Sequence, residues 1–308
     1  MKVLVTGGAG FIGSNTVDYL IKRNFDVVVL DDLSRGFKKL VNEKAEFIEG
    51  SFGDKKVLET ALNGVDAVIH FASFIYPEES IEKPELYYKN NVVNSVILFE
   101  EMRKKGINKI IFSSSCSVYG EPEFIPVPES NPLNPISPYG ETKKVIEKIL
   151  ELYFHSFGLK SISLRYFNPF GPKELHQPEI HAIPNFINAV FEQKKISVFG
   201  DGEQVRDFIF VEDLAKAHVL ALEKIDEIEF DSFNVGSAKG HSVNECIKTI
   251  FELMEKETEI DFLNPRKGDP KKLVADTTKI KEKLGWEPET DFKQAIKKTI
   301  DFFKENKI

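Results

Sequence analysis

No feature narrows the fold of this chain more than residues 2–13, where the apolar run KVLVT passes directly into GGAGFIG. Gly7, Gly10 and Gly13 are spaced G-x-x-G-x-x-G, and Gly8, Gly10 and Gly13 also fit G-x-G-x-x-G. Three physical needs explain such spacing. One glycine permits a tight turn, another lets the backbone approach a pyrophosphate, and the last lets a helix pack close to its strand. The N-terminus of that helix then offers N–H groups and a positive dipole end to phosphates. A glycine-rich turn without a ligand is the plain alternative, so context matters. Here a strand precedes the glycines and residues 15–22 read as helix. The strand DVVVL at 26–30 follows, ending in Asp31-Asp32, 18 residues after Gly13. A carboxylate at that place accepts hydrogen bonds from an adenosine ribose diol and repels a 2′-phosphate, which favours NAD over NADP. Arg35, nearby, could accommodate such a phosphate and argues the other way.

The alternation continues. Residues 46–49, 67–71 and 109–113 read as strands rich in β-branched and apolar residues, and 55–62 and 95–105 as helices. Continuous apolar strands joined by helices predict a doubly wound parallel sheet of Rossmann type, covered on both faces. After Leu164 the pattern changes. Residues 169–184 are rich in Pro, Gly and His and read as an extended loop, and 185–193 as helix. The expectation is an NAD-binding domain over 1–168, to which a segment near 207–236 returns, and a smaller mixed α/β substrate domain over 169–308.

Composition excludes several function classes. The net charge of −8 gives no basic face for nucleic acid, and lysine pairs are interleaved with glutamates along helices. No apolar run is long enough for a membrane span. The N-terminus enters a strand at once, without a signal-peptide pattern, so a cytoplasmic location is expected. Two cysteines, Cys116 and Cys246, and six scattered histidines form no metal-ligand spacing, so no metal site is expected. The six arginines are few enough for their positions to be informative.

Tyr139 and Lys143 stand one helical turn apart in SPYGETKK, on one face of the helix that Pro138 begins. A tyrosine ordinarily titrates near pH 10. A neighbouring ammonium and a positive nicotinamide ring would both favour its phenolate, making it a general base that takes a hydroxyl proton as hydride leaves carbon. Tyr-x-x-x-Lys occurs by chance in many helices. Here it follows a dinucleotide fingerprint and lies 24 residues beyond Ser115, the last of three serines after the strand at 109–112. That strand end belongs to the sheet edge where ligands bind.

The combination resembles the extended short-chain dehydrogenase/reductase family and, within it, the nucleotide-sugar 4-epimerases. The likeness spans nearly the whole chain through TGGAGFIGS (6–14), DDLSRG (31–36), HFAS (70–73), NNVVNS (90–95), FSSSCSVYG (112–120), SPYGETK (137–143), RYFNPFG (165–171), GDGEQVRDFIFVEDLA (200–215), NVGS (234–237) and RKGD (266–269). The resemblance implies that Tyr139 is the base, that Lys143 binds the nicotinamide ribose and tunes it, and that Ser115 hydrogen-bonds the hydroxyl being oxidised. It implies an NAD site made from Gly7, Gly10, Phe11, Ile12 and Gly13, from Asp31, Asp32, Ser34, Arg35 and Gly36, and from Ser51 and Phe52. Phe71, Ala72, Ser73, Asn90, Ser113, Tyr166 and Phe167 complete that site. The UDP-sugar side would comprise Ser115, Tyr139, Asn168, His181, Ala182, Ser197, Phe199, Arg206, Arg266 and Asp269.

The resemblance also implies a reaction. NAD oxidises C4 of a UDP-sugar, the ketone turns over, and hydride returns to its other face. The positions that hold an Asp-Glu pair in related 4,6-dehydratases are here Cys116 and Ser117, and Ser117 also argues against decarboxylating relatives. Cys116, next to the site, reads as a small packing residue, with its proximity making it a possible target for thiol reagents. UDP-glucose/UDP-galactose is the expected substrate pair. Leu273, between the bulky and small residues that gate an N-acetyl pocket in relatives, leaves UDP-N-acetylhexosamines and UDP-uronic acids as alternatives. The chain departs from the family pattern at Ser51, Ile75, Phe208 and His181. Two other classes remain to be weighed, a reductase consuming NAD(P)H on a keto-sugar and a non-catalytic nucleotide-sugar or NAD sensor.

Finally, the helix at 139–157 carries two apolar stripes. One is Val145, Ile149 and Leu152; the other is Ile146, Leu150, Tyr153 and Phe157. One stripe suffices for packing on a sheet. With 95–102 also broadly apolar, a twofold homodimer through a four-helix bundle is expected, as in relatives. Cover by the chain's own C-terminal part is the alternative.

Overall fold

The computed structural model describes residues 1–175, 181–265 and 270–306. Its strands in chain order begin with β1 (Lys2–Thr6), β2 (Asp26–Asp31), β3 (Glu46–Glu49), β4 (Ala67–His70), β5 (Lys109–Ser115) and β6 (Lys160–Tyr166). There follow β7 (Asn168–Phe170), β8 (Ile196–Phe199), β9 (Val205–Phe210), β10 (Phe230–Val235), β11 (Gly240–Ser242), β12 (Ile260–Leu263) and β13 (Lys272–Leu273). Seven of them form one sheet in the order β10-β6-β5-β4-β1-β2-β3. Every pair in it is parallel. Helices cover both faces, as the unbroken burial of Val3–Val5, Val27–Leu30 and Ala67–Ile69 requires. The architecture is the Rossmann-type α/β fold.

Two apolar clusters sandwich this sheet. One packs Val17, Leu20, Leu214 and Ala217 onto Val3, Val5, Val29 and Ile69, and the other packs Leu58, Leu98, Phe99 and Ile146 onto Leu4, Val28, Val68 and Ile110. A third core lies apart, among Ile183, Ile187, Val198, Phe208, Phe210, Ile247, Ile296 and Phe303. There β9 is bordered by β11 and β13 and also pairs with β7, while β8 pairs with β12.

The chain crosses between these bodies more than once. β10 forms the edge of the large sheet beside β6, and helix Val211–Glu223 packs on helix Phe11–Lys22. Ile280, Leu284 and Trp286, far along the chain, also bury themselves in the large core, with the Trp286 indole N–H donating to the Asp213 carbonyl at 3.0 Å. Nothing in their local pattern distinguishes them from residues of the smaller body.

Local boundaries differ from expectation where loops carry tertiary duties. The first helix starts at Phe11, inside the glycine motif, so Gly13 is helical. A Cβ on Gly13 would stand 2.2 Å from the Gly7 carbonyl oxygen, which explains why the sequence there looks unlike a helix. The stretch after β4 is helical too, through Pro77–Glu82, Pro84–Tyr87 and a widened π-type turn at Tyr88–Val93. Residues 169–184 are not one loop, since β7 lies at their start and helix Ala182–Glu192 begins at Ala182.

Candidate active site

The carboxyl ends of β1 to β5 open onto a cleft, the edge of a parallel sheet where ligands bind. Its floor is the glycine turn. Gly7 has φ +74°, and a Cβ there would meet the Ala72 nitrogen at 2.7 Å. Gly10 caps helix Phe11–Lys22 without any side-chain cap, so its first N–H groups face the cleft in the way an anion site needs. Gly7, Gly10, Phe11, Ile12 and Gly13 all line the cleft.

Asp31, Asp32, Ser34, Arg35 and Gly36 form the next wall. The two carboxylates do different work. Asp31 is buried and accepts from the backbone N–H of Ala9 (3.0 Å) and Leu33 (2.9 Å), pinning the glycine turn to the end of β2. Burial raises its pKa against those two bonds. Asp32 is exposed and accepts from the Ser34 N–H and hydroxyl. Arg35 makes a forked pair with Glu79 at 2.9 and 2.8 Å, and its guanidinium stands 5.2 Å from the centre of the Phe74 ring and 5.3 Å from that of Tyr76.

The remaining lining comes from Phe52, Phe71, Ala72, Ser73, Asn90 and Ser113. The π-type turn places Asn90 there, while its neighbour Asn91 is tied to the Phe74 backbone and the Thr142 hydroxyl. Three expected contacts lie elsewhere. Ser51 is turned into its own loop, accepting from the Gly53 N–H at 3.1 Å, and Gly50 and Phe52 line the cleft in its stead. Tyr166 and Phe167 do not line it either. Tyr166 is buried at the end of β6, and Phe167 packs with Cys116, Val118, Tyr119 and Val127. Leu30, Phe74 and Tyr76 line the cleft without having been anticipated, and so does Ile75, named in the sequence only as a departure from the family pattern. The run FIYP after HFAS was the available signal.

Behind the lining residues Ser73 and Ser113 stand Ser115, Tyr139 and Lys143, none of which lines the cleft itself. Ser137 caps helix Pro138–Phe157 by accepting from the Gly140 N–H at 3.2 Å, and the Tyr139 N–H donates to the Ser80 hydroxyl at 3.1 Å. The first turn of this helix is thereby fixed against helix Pro77–Glu82. The Ser115 hydroxyl accepts from the Ser117 N–H and donates to the Ser117 hydroxyl, both at 3.1 Å. Lys143 is 1% exposed. Its ammonium donates to the Ser113 carbonyl at 2.7 Å and the Ser73 hydroxyl at 2.9 Å, and lies 5.8 Å from the centre of the Tyr139 ring.

The electrostatics correct one expectation. Burial pushes the Tyr139 phenol up to about 12, against the lowering effect of Ser115, and Lys143 is not among the groups that move it. The ammonium is itself drawn down to about 7 by burial, with Glu147 one turn further along opposing this. Desolvation outweighs the pairwise attraction because both groups are sealed in the same dry interior. Cys116 is the small packing residue expected of it, in a cluster with Val118, Tyr119 and Phe167, and not the thiol-reagent target. It is buried, and desolvation pushes it up to about 12 despite Arg206 nearby.

The sugar-side residues are more dispersed. Arg206 pairs across β9 and β13 with Leu273, near Cys116, and its guanidinium donates to the Val205 carbonyl at 2.9 Å. The Asn168 amide donates to the Asp207 carbonyl at 3.3 Å. Ser197 and Phe199 share the exposed face of β8. His181 lines the cofactor cleft, its Nδ1 2.6 Å from the fully buried Glu174, and Ala182 opens the helix that follows. Arg266 and Asp269 lie outside the described residues.

Asp207, next to Arg206, went unnoticed in the sequence although RDF is part of a quoted motif. Its buried carboxylate accepts from the Ser237 N–H (2.5 Å) and hydroxyl (2.7 Å), and from the N–H groups of Ala238 (3.1 Å) and Ala275 (3.0 Å). Among the described residues, no group of three or more His, Cys, Asp or Glu could hold a metal ion.

A glycine turn at a helix N-terminus, a parallel sheet, and a buried Ser115–Tyr139–Lys143 set define an extended short-chain dehydrogenase/reductase. More particularly, the chain belongs to the NAD dependent epimerase/dehydratase family, whose profile it matches over residues 3–236. A UDP-glucose 4-epimerase of Lactobacillus helveticus is 43% identical over 308 residues, 94% of this chain and 92% of that one. The solved UDP-glucose 4-epimerase of Thermotoga maritima with UDP-glucose superposes with a TM-score of 0.95 at 38% identity, covering 100% of both chains. A UDP-N-acetylglucosamine 4-epimerase of Methanobrevibacter ruminantium in complex with UDP-N-acetylmuramic acid has a TM-score of 0.93 at 35% identity, over 99% of this chain and 98% of that one.

Proposed function

We propose that this chain is a UDP-glucose 4-epimerase, an isomerase that interconverts UDP-glucose and UDP-galactose through a 4-keto sugar. The observation that carries the reading is the buried Lys143 ammonium beside the Tyr139 ring, bonded to Ser73 and Ser113, two residues that line the cleft above the glycine turn.

The residues present fit NAD. The uncapped helix end and the glycine turn suit a pyrophosphate, and the β2 carboxylates suit a ribose diol. When bound, NAD supplies the acceptor and the return donor of hydride. The chain's own groups do the rest. Ser115 orients the C4 hydroxyl and Tyr139 removes its proton. A phenol held at about 12 is a poor base, so it needs a cation beside it before it can act. Lys143, pinned by Ser73 and Ser113, points its charge at the place where the nicotinamide ribose would lie. Returning the proton from Tyr139 to O4 completes the cycle without net redox change.

Residues outside the large sheet, with Asn168, Arg206, His181, Ala182, Ser197 and Phe199, would hold the nucleotide-sugar, together with Arg266 and Asp269. Leu273 packs beside Cys116 and Phe167, on the sugar side of Ser115. Its intermediate size supports a second reading, epimerisation of a UDP-N-acetylhexosamine, and the Methanobrevibacter relative favours the same possibility.

Helix Pro138–Phe157 leaves Leu152 and Phe157 more than half exposed, and the C-terminal helix Phe292–Asn306 packs elsewhere, on helices Ala182–Glu192 and Val243–Met254. That supports a homodimer in which this helix and Asn94–Lys104 form a four-helix bundle with their twofold copies. A cytoplasmic role in galactose metabolism follows from the same reading. No described helix is long and apolar enough to cross a membrane.

The test is turnover of UDP-galactose by the purified chain, first without and then with added NAD, followed by proton NMR. Formation of UDP-glucose without added NAD supports both the activity and a retained cofactor. Failure under both conditions, with turnover of UDP-N-acetylglucosamine, replaces the first reading by the second.

A further inference from the structure

His218 lies in the middle of helix Val211–Glu223, 0% exposed, behind the wall that carries the reacting groups. Its Nδ1 is 2.8 Å from the Leu214 carbonyl one turn back. A carbonyl can only accept, so Nδ1 carries the proton. Burial pulls the imidazole down to about 4, so the ring is neutral near pH 7 and its Nε2 has only a lone pair to offer. The partner of Nε2 is the Tyr166 hydroxyl, which must therefore donate to it. The imidazole also packs against Phe71, a lining residue of the cofactor cleft, with ring centres 4.7 Å apart.

Tyr166 stands between this histidine and Ser115, its register partner where β6 lies beside β5. Burial pushes its phenol well up, and a negative charge on Tyr139 would add to that. Tyr166 is 5% exposed, so in this dry setting its hydroxyl proton must go to a protein acceptor. If that acceptor were the Tyr139 oxygen, the bond would stabilise the phenolate and make it a weaker base.

We propose that His218 is a positioning residue for hydride transfer, holding the Tyr166 proton on the far side of that ring so that Tyr139 keeps Ser115 and the substrate as its hydrogen-bonding partners. The proposal rests on the hydride chemistry proposed above. The direction of the chain, from the Tyr166 hydroxyl to His218 Nε2, with Nδ1–H on the Leu214 carbonyl, is set by one tautomer.

The tautomer is read directly by nitrogen NMR of ¹⁵N-histidine-labelled protein without substrate. The expected spectrum for His218 is neutral, Nδ1-protonated, unchanged between about pH 6 and 9, with the Nε2 resonance moving in Tyr166→Phe. An Nε2–H tautomer overturns the proposal whether or not any UDP-sugar turns over. In kinetics, His218→Phe should lower kcat on the order of 10- to 100-fold with KM nearly constant. It should also shift the pKa of the base in the pH profile downward, since Tyr166 is released to donate to Tyr139. His218→Gln, which can accept from Tyr166, should recover most of kcat and the original pH profile, and Tyr166→Phe should abolish the extra pKa shift of His218→Phe. Wild-type kcat in a folded His218→Phe protein, or equal losses in the Phe and Gln variants that follow only their melting temperatures, would show simple core packing and overturn the idea.

Discussion

The two sides of the cleft are built differently. The cofactor side is assembled from segments near the start of the chain, each placed by its own strand end and locked by short-range bonds, such as Asp31 to Ala9 and Leu33. The proposed sugar side draws on β7, β8, β9 and the start of a helix at Ala182, which pack in a separate core. What holds part of this region together is a buried carboxylate, Asp207, gathering four donor groups from Ser237, Ala238 and Ala275. A parallel sheet supplies several loop ends at one edge for free, because every strand points the same way. A site built across two cores has no such common edge and needs tethers.

This contrast can be broken by substitution. Tyr139→Phe keeps the packing and removes the proton acceptor that both halves serve, so kcat should fall by about 10²–10⁴-fold with NAD still bound, measured by turnover and by cofactor content. Asp207→Ala leaves four donors without their acceptor. It should cost on the order of 3 kcal/mol in denaturant unfolding and raise the sugar KM, with NAD affinity nearly unchanged. Equal damage to both affinities would show that the two sides are not independent.

Lys143→Met tests how the buried set behind the lining is maintained. The folded-state pKa of about 7 lies below the ordinary 10.5. Between those values the unfolded chain binds a proton that the folded chain has lost, so this group's contribution to stability rises with pH across that window and is least favourable below about pH 7. The variant should lose activity yet melt roughly 2–4 °C higher at pH 6, with the gain shrinking toward pH 10. The smallest expected effect concerns Arg35. With Glu79 neutralised in Glu79→Gln, the guanidinium is less committed, and NADP binding relative to NAD should improve about fivefold, the size of one partly exposed ion pair. No change in that ratio by titration calorimetry would leave the discrimination to Asp31 and Asp32.

Much of the cofactor side could be read in the sequence because its requirements are local. Gly7 has a positive φ and Gly13 a steric limit set by the Gly7 carbonyl, both within one short turn, and Asp31 sits at a strand end. The misses share a cause. Ser51 was placed in the cleft by family position, but its hydroxyl is satisfied one turn away by the Gly53 N–H. Ile75 and Tyr76 line the cleft because helices at 77–87 swing them there. His218 was only one of six scattered histidines without a ligand spacing. Its partners, Tyr166 and Phe71, lie 52 and 147 residues away in the chain, beyond the reach of any local pattern.

By itself the sequence determined the alternation of strand and helix, the phosphate-binding turn, and the identities of the serine, tyrosine and lysine that meet at the end of β5. Only the tertiary structure decided their protonation. Four residues on a helix bring Tyr139 and Lys143 to one face. Whether they are charged depends on how much water the rest of the chain removes, and here burial drives the phenol up and the ammonium down. Spacing is a property of the backbone; desolvation is a property of everything packed around it.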